Sequence, residues 1–146
     1  MTIGKDEFEL SGSLMSELQS YERIIEGLRM ASDAAKHIAV IKEDQRWTRI
    51  AHALCVVQKA IADRARMNRP QDSEINLDLP AETMPVTAAF IRHIDGLAQA
   101  IGGLRQMATY HRMQEFWLKW VKQLEDMRSK AAGLMQARGP LVVPRR

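Results

Sequence analysis

Apolar residues recur at steps of three and four along most of this chain, and they form four separate stripes. Such steps keep side chains on one face of an α-helix, so the stripes predict four amphipathic helices. The first stripe contains Leu14, Leu18, Tyr21, Ile25, Leu28, Ala35 and Ile38, and the second contains Trp47, Ile50, Leu54, Val57, Ile61 and Ala65. The third contains Val86, Phe90, Ile94, Leu97, Ile101, Leu104 and Met107, and the fourth contains Met113, Trp117, Trp120, Leu124, Met127, Ala131 and Leu134.

Polar and proline-containing segments between the stripes indicate how the chain is organised. The polar turn 42–45 contains neither Gly nor Pro, so one unbroken helix over 13–68 stays open as a second interpretation. The expected parts are a flexible N-terminal arm 1–12, a single helical domain 13–138 (hairpin one 13–68, connection 69–83, hairpin two 84–138) and a basic tail 139–146 that follows a helix stop at Gly139-Pro140.

Two long helical hairpins predict an all-α fold, an antiparallel four-helix bundle. The fourth stripe alternates steps of four and three, a heptad pattern typical of coiled-coil packing. The connection 69–83 is long enough to run the length of a helix. An up-down-up-down order, a crossover order and an exchange of hairpins between two copies therefore all remain open.

The two hairpins also align with each other, over 22–70 and 91–140, which points to an internal duplication. An offset of 69 residues pairs 22–45 with 91–114, and one inserted residue raises the offset to 70 thereafter. Amphipathic hairpins of equal length share such matches by coincidence too, so both explanations stay open. The identical pairs are Arg23/Arg92, Ile25/Ile94, Gly27/Gly96, Leu28/Leu97, Ala31/Ala100, Ala39/Ala108, Gln45/Gln114, Trp47/Trp117, Leu54/Leu124, Ala62/Ala132 and Pro70/Pro140.

The alignment also predicts where the second hairpin turns. Gly102-Gly103 has the composition of a turn, but it aligns with Asp33-Ala34, which lie in mid-helix. We therefore expect the third helix to continue through both glycines and the chain to reverse near 109–114.

Composition agrees with a helical, cytoplasmic protein. Aromatic residues make up 5% of the chain and there are nine methionines, a balance that favours helices over sheets. A single cysteine suits a reducing compartment, and the first ten residues have no signal-peptide pattern. No run of 18 apolar residues is present, so no membrane contact is expected.

No catalytic, cofactor or metal signature emerges from the residues. A dinuclear metal bundle requires Glu three residues before His, and the residues at that position before the four histidines are Ala34, Arg49, Phe90 and Ala108. Cys55 is interpreted as a small buried hydrophobe rather than a nucleophile. We therefore expect a protein that is not an enzyme and that binds no metal and no cofactor.

One catalytic alternative rests on Arg–His spacing. Arg46 with His52, and Arg105 with His111, have five residues between them. This spacing resembles that of small helical ribonucleases of the HEPN type, and it occurs once in each hairpin, at roughly matching places. The resemblance covers only two residues per hairpin, and it makes an HEPN-like ribonuclease the third functional hypothesis.

Two helix faces are candidate binding surfaces. The fourth helix is unusually apolar near its start, which favours a non-enzymatic interaction or assembly module that self-associates or binds a protein partner. The second helix is basic, which makes a weakly basic nucleic-acid-associated protein the alternative, although the net charge is only +3. The candidate partner-binding residues are Met113, Phe116, Trp117, Trp120 and Val121. The candidate nucleic-acid contacts are Arg46, Arg49, Lys59, Arg64, Arg66 and Arg69.

Overall fold

Four α-helices make up the part of the chain that the structure describes. A computed structural model describes residues 3–65, 80, 84–112 and 114–142, with side-chain burial for 16–64, 80, 84–112 and 114–135. The helices are α1 (Ile3–Lys42), α2 (Gln45–Ala65), α3 (Val86–Tyr110) and α4 (Glu115–Val142). The predicted all-α fold class is confirmed, and the described residues contain no strand.

The first turn separates α1 from α2 at the predicted place. Lys42 ends α1, and Glu43 adopts a positive φ of 51°. The backbone N–H groups of Glu43 and Asp44 then donate to the carbonyls of Val40 and Ala39, which are the two bonds of a Schellman motif. Asp44 caps α2, because its Oδ1 accepts the backbone N–H of Arg46 at 2.9 Å. A single unbroken helix over 13–68 is therefore wrong.

The second turn separates the end of α3 at Tyr110 from the start of α4 at Glu115, and α3 continues through Gly102 and Gly103 as the alignment predicts. Arg112 has a positive φ of 56° and donates its N–H to the Thr109 carbonyl. Arg112 and Glu43 are the two non-glycine residues with positive φ in the described chain, and the 69-residue offset pairs them.

Two helix ends differ from the expected boundaries. The backbone of α1 is helical from Ile3, whereas the sequence predicts a helical domain that starts at 13 after an arm. Residues 3–12 lack an apolar stripe, but they include Lys, Leu and two Glu, which favour helix on their own. At the other end, α4 continues through Gly139-Pro140 to Val142, so the expected stop is wrong. Pro140 removes only one N–H from this last turn.

Side-chain contacts fix the order of the helices. Ser20 bonds Gln106 and Ala31 bonds His93, so α1 and α3 are antiparallel neighbours. The start of α2 packs near the start of α3, because the rings of Trp47 and Phe90 lie 5.3 Å apart. The end of α2 instead lies near the start of α4. The bundle is therefore up-down-down-up, and the chain between Ala65 and Val86 joins its opposite ends.

Glycine and alanine bring α1 and α3 into backbone contact at the centre of the bundle. A Cβ placed on Gly27 would lie 2.6 Å from the Gly96 carbonyl oxygen and 2.7 Å from the Ala100 nitrogen. A Cβ on Gly96 would lie 2.6 Å from the Ala31 nitrogen and 2.7 Å from the Gly27 carbonyl oxygen. The two sets of contacts are equivalent under the 69-residue offset, so a pseudo-twofold axis passes between the two glycines.

Burial follows the same offsets in both hairpins. In the central pair, Tyr21 and Phe90 are both buried, and so are Leu28 and Leu97. In the outer pair, Trp47 and Trp117 are 4% and 1% exposed, and Leu54 and Leu124 are both fully buried. Equivalent positions of the two hairpins are thus buried. α2 packs mainly on α1, and α4 packs mainly on α3.

Candidate functional site

The candidate site is the α2–α4 seam, the line along which α2 and α4 face each other. Close backbone packing joins α1 to α2, α1 to α3 and α3 to α4, whereas α2 and α4 barely approach each other. Their side chains alone bridge the gap, from Arg64 opposite Phe116 at one end to Trp47 near Ala131 at the other. Because the two helices run antiparallel, each end of the seam combines the start of one helix with the later part of the other.

Aromatic side chains fill the first end of the seam. Phe116 and Trp120 pack edge to face, with ring centroids 6.3 Å apart, and both are partly buried against the core. The Arg64 guanidinium lies 4.9 Å from the Phe116 centroid, and the Lys119 ammonium lies 4.8 Å from that of Trp120. Cations placed over ring faces in this way are attracted by the ring quadrupole.

The structure divides the candidate partner-binding residues of α4 into two groups. Trp117 is 1% exposed and Val121 is 7% exposed, so both pack in the core and present little surface to a partner. Phe116 and Trp120 remain partly exposed at the seam. Met113 lies outside the described residues.

The second end of the seam is an open cleft of about 310 Å³. Its walls are apolar, and the cations Arg46 and Lys130 lie at its rim; the wall residues are Trp47, Ile50, Met127, Ala131 and Leu134. A volume of this size falls at the lower end of small-molecule pockets. Leu134 is 51% exposed, so the mouth of the cleft is apolar as well.

His93 of α3 lines the base of the same cleft, between α2 and α4. Its side chain is 1% exposed, and its Nδ1 lies 2.9 Å from the Ala31 carbonyl oxygen. A carbonyl only accepts, so Nδ1 carries the proton and Nε2 carries the lone pair. Burial lowers the pKa of His93, and the hydrogen bond to Ala31 raises it by a smaller amount. Because the net shift is downward, the ring is neutral at pH 7. The stripe pattern did not identify His93, because its partner residues are on other helices.

The basic residues predicted on α2 have different environments. The side chain of Arg46 is 80% exposed and forms an ion pair with Asp44 at 2.8 Å, and Arg64 bonds Gln114 at 2.9 Å. Arg49 and Lys59 are exposed on the outer face. Arg66 and Arg69 lie outside the described residues.

The two Arg–His pairs of the ribonuclease hypothesis are not joined into one site. Arg46 pairs with Asp44 and Arg105 pairs with Glu125. His111 bonds Glu17 at 3.0 Å and lies beside Trp117, while His52 is exposed on the outer face of α2. Each of these groups thus has its own surroundings, and this arrangement gives the hypothesis no support.

Cys55 is a core residue. It is 5% exposed, and its Sγ lies 3.6 Å from the Ser32 hydroxyl, which also donates to the Ala51 carbonyl. Burial raises the pKa of the Cys55 thiol, so little thiolate forms at neutral pH. This environment fits a packing role rather than a nucleophilic one.

Within the described residues, no three His, Cys, Asp or Glu side chains come together as metal ligands do. No helix in that part of the chain has the length and hydropathy needed to cross a bilayer.

In comparisons with protein-family models, curated proteins and solved structures, the chain has no significant match.

Proposed function

We propose that this protein is a non-enzymatic helical interaction module that self-associates through α4. The observation that carries the proposal is the partial exposure of the large aromatic side chains Phe116 and Trp120 at the α2–α4 seam. Large aromatic residues in such positions are typical of contact surfaces between proteins. A second copy of the chain is the partner that the charges of α4 favour.

The outer strip of α4 is self-complementary in charge. Glu115, Lys119, Asp126 and Lys130 are all exposed and follow one another at helical spacing. If two α4 helices lie antiparallel about a twofold axis near Lys122, Glu115 lies opposite Lys130 of the second copy. Lys119 then lies opposite Asp126. Phe116, beside this strip, supplies the apolar contact.

Charge reversal tests the proposal. We expect K119E to weaken dimerisation about tenfold, because a twofold interface replaces two attractive contacts with two repulsive ones, about 1–2 kcal/mol in all. D126K should weaken dimerisation similarly. The double variant K119E/D126K restores both pairs in reversed order and should recover dimerisation to within about threefold. Sedimentation velocity over a concentration series measures all four proteins.

The matched control is Lys59→Glu, which makes the same charge change on the exposed outer face of α2, outside the proposed interface. A wild-type chain that stays monomeric to about 200 μM would contradict self-association, since such an affinity is too weak for a working interface. Failure of the double variant to recover would contradict the antiparallel arrangement.

Nucleic-acid binding is the second candidate, and one observation favours it. Arg49, His52 and Lys59 lie on one exposed strip of α2, although Asp63 continues the same strip. Polarisation of a labelled duplex at two salt concentrations tests it, because phosphate contacts weaken steeply with salt. Affinity weaker than about 10 μM at low salt would remove this candidate.

A further inference from the structure

The two ends of the α2–α4 seam are equivalent positions of the repeat, but they carry different side chains. The 70-residue offset pairs Trp47 with Trp117, and both are buried at the start of their helices. It also pairs Ile50 with Trp120 and Arg46 with Phe116. Two aromatic rings therefore fill one end, and at the other end their smaller or more polar counterparts leave the cleft of about 310 Å³ open.

The filled end indicates which molecular shape the open end accepts. The space equivalent to the cleft holds the rings of Phe116 and Trp120, next to Trp117. An apolar cavity of about 150 Å³ accepts benzene. The cleft has about twice that volume, which is enough for a planar bicyclic ring.

Charge at the rim favours an anion. Arg46 is neutralised by Asp44. Lys130 is exposed and forms no ion pair with any described residue, which leaves one uncompensated cation at the mouth of the cleft. A carboxylate at the solvent end of the ligand would meet the Lys130 ammonium without being buried, so it would lose little of its hydration.

His93, which lines the base of the cleft, favours a ligand that donates a hydrogen bond. Its Nδ1 proton is donated to the Ala31 carbonyl, so Nε2 is the acceptor of the ring. An N–H or O–H donor on the inner edge of a ligand would satisfy it. An apolar pocket with one such polar group discriminates strongly between ligands that supply the matching hydrogen bond and ligands that lack it.

We infer that the cleft between α2 and α4 binds a planar bicyclic aromatic carboxylate with a ring N–H, of which an indole carboxylate is the simplest form. The ring replaces the two aromatic side chains of the equivalent end, the carboxylate faces Lys130, and the N–H reaches His93. This cleft shares one residue, Lys130, with the outer strip of α4 on which the proposed self-association rests, and its other lining residues lie outside that strip.

A ligand series tests each part of this assignment by isothermal titration calorimetry. Indole-3-acetate should bind one per chain with a Kd below about 1 mM. Tryptamine, which has an ammonium in place of the carboxylate, should bind at least tenfold more weakly. Naphthalene-1-acetate, which lacks the N–H, should bind at least fivefold more weakly. Equal affinity for all three compounds would overturn the assignment, because it would show unselective apolar adsorption.

Variants locate the site. Ile50→Trp places in the cleft the residue found at the equivalent position, Trp120, and should abolish binding of indole-3-acetate. Lys130→Gln, an exposed change that leaves the fold intact, should weaken binding at least fivefold. Lys122→Gln removes the same charge on the outer strip of α4 and should leave binding unchanged. Undiminished binding to both Ile50→Trp and Lys130→Gln would overturn the proposal. Repeating the titration with K119E separates ligand binding from self-association.

Discussion

At the scale of single residues, His93 is a titratable side chain in the core of the bundle, 1% exposed. The Trp47 ring packs against it with centroids 5.2 Å apart, and positive charge on the imidazole is opposed by burial. Its pKa is lowered in the folded state, mainly by burial. The unfolded chain therefore binds a proton at a higher pH than the folded chain does.

This difference predicts how stability depends on pH. Between the lowered pKa and the unfolded value of about 6.5, the unfolded state carries more protons, so the free energy of unfolding falls as the pH falls below about 6.5. His93→Gln removes this titration, and we expect its stability to depend less steeply on pH. Urea denaturation of both proteins from pH 8 to pH 5 measures the two slopes, and parallel slopes would contradict the prediction.

The sequence predicted which side chains are buried better than it predicted which residues form turns or long-range hydrogen bonds. Tyr21, Leu54 and Leu124 are buried as their stripes predict, because periodicity fixes which face of a helix turns inward. Glu43 and Arg112 hold left-handed backbone without any Gly or Asn signal, so no turn rule could identify them. The role of His93 depends on Ala31 of another helix, a long-range contact that one stripe does not contain.

At the scale of helices, the close approach of α1 and α3 depends on the absence of two side chains. Gly27 and Gly96 each face backbone atoms of the opposite helix, which cannot rotate away as a flexible side chain can. Any added methyl group must therefore separate the two helices. Gly133 of α4, by contrast, has no atom within 4 Å of its Cβ position.

These two environments predict opposite effects of one substitution. Gly27→Ala should destabilise the fold by about 1–3 kcal/mol, since overpacking outweighs a gain of about 1 kcal/mol in helix propensity. Gly133→Ala should stabilise the protein by about 0.5–1 kcal/mol, because only the propensity changes. Thermal and urea denaturation measure both. Stabilisation by Gly27→Ala would show that α1 and α3 are not in backbone contact.

Helix pairing determines which apolar residues of α4 lie in the core and which lie at the seam. The sequence identified its wide apolar face but could not divide that face between a core and a surface. Val121 and Trp117 pack in the core, and Phe116 turns toward α2. That division depends on where α2 lies, and periodicity within one helix carries no information about its neighbours.

At the scale of the whole molecule, the up-down-down-up order of the helices determines which of them meet. It places α3 beside α1, so that the two glycine-containing helices meet, and it leaves α2 and α4 each attached mainly to one partner. Composition and periodicity predicted the bundle, but several helix orders satisfied the same stripes. The order was settled by contacts between helices that are distant in sequence, such as Ser20 with Gln106.

This topology predicts an uneven pattern of hydrogen exchange. Amides of 20–39 in α1 and 89–108 in α3 should exchange slowest, because the central pair opens only when the whole bundle unfolds. Amides of α2 and α4 should exchange at least about tenfold faster through local opening of the seam. Mass spectrometry of exchanged peptides measures this, and equal protection of all four helices would contradict it.

The contact between Gly27 and Gly96 also constrains how this sequence is able to change over evolutionary time. Each glycine faces the backbone beside the other, so a mutation in either hairpin is felt by both. We therefore expect substitutions at the two positions to be coupled. Ile50 and Trp120 lie at opposite ends of the α2–α4 seam and share no such contact. One of these positions is free to keep an aromatic residue while the other acquires a new one, so we expect substitutions to accumulate at the ends of the seam rather than at the contact between α1 and α3.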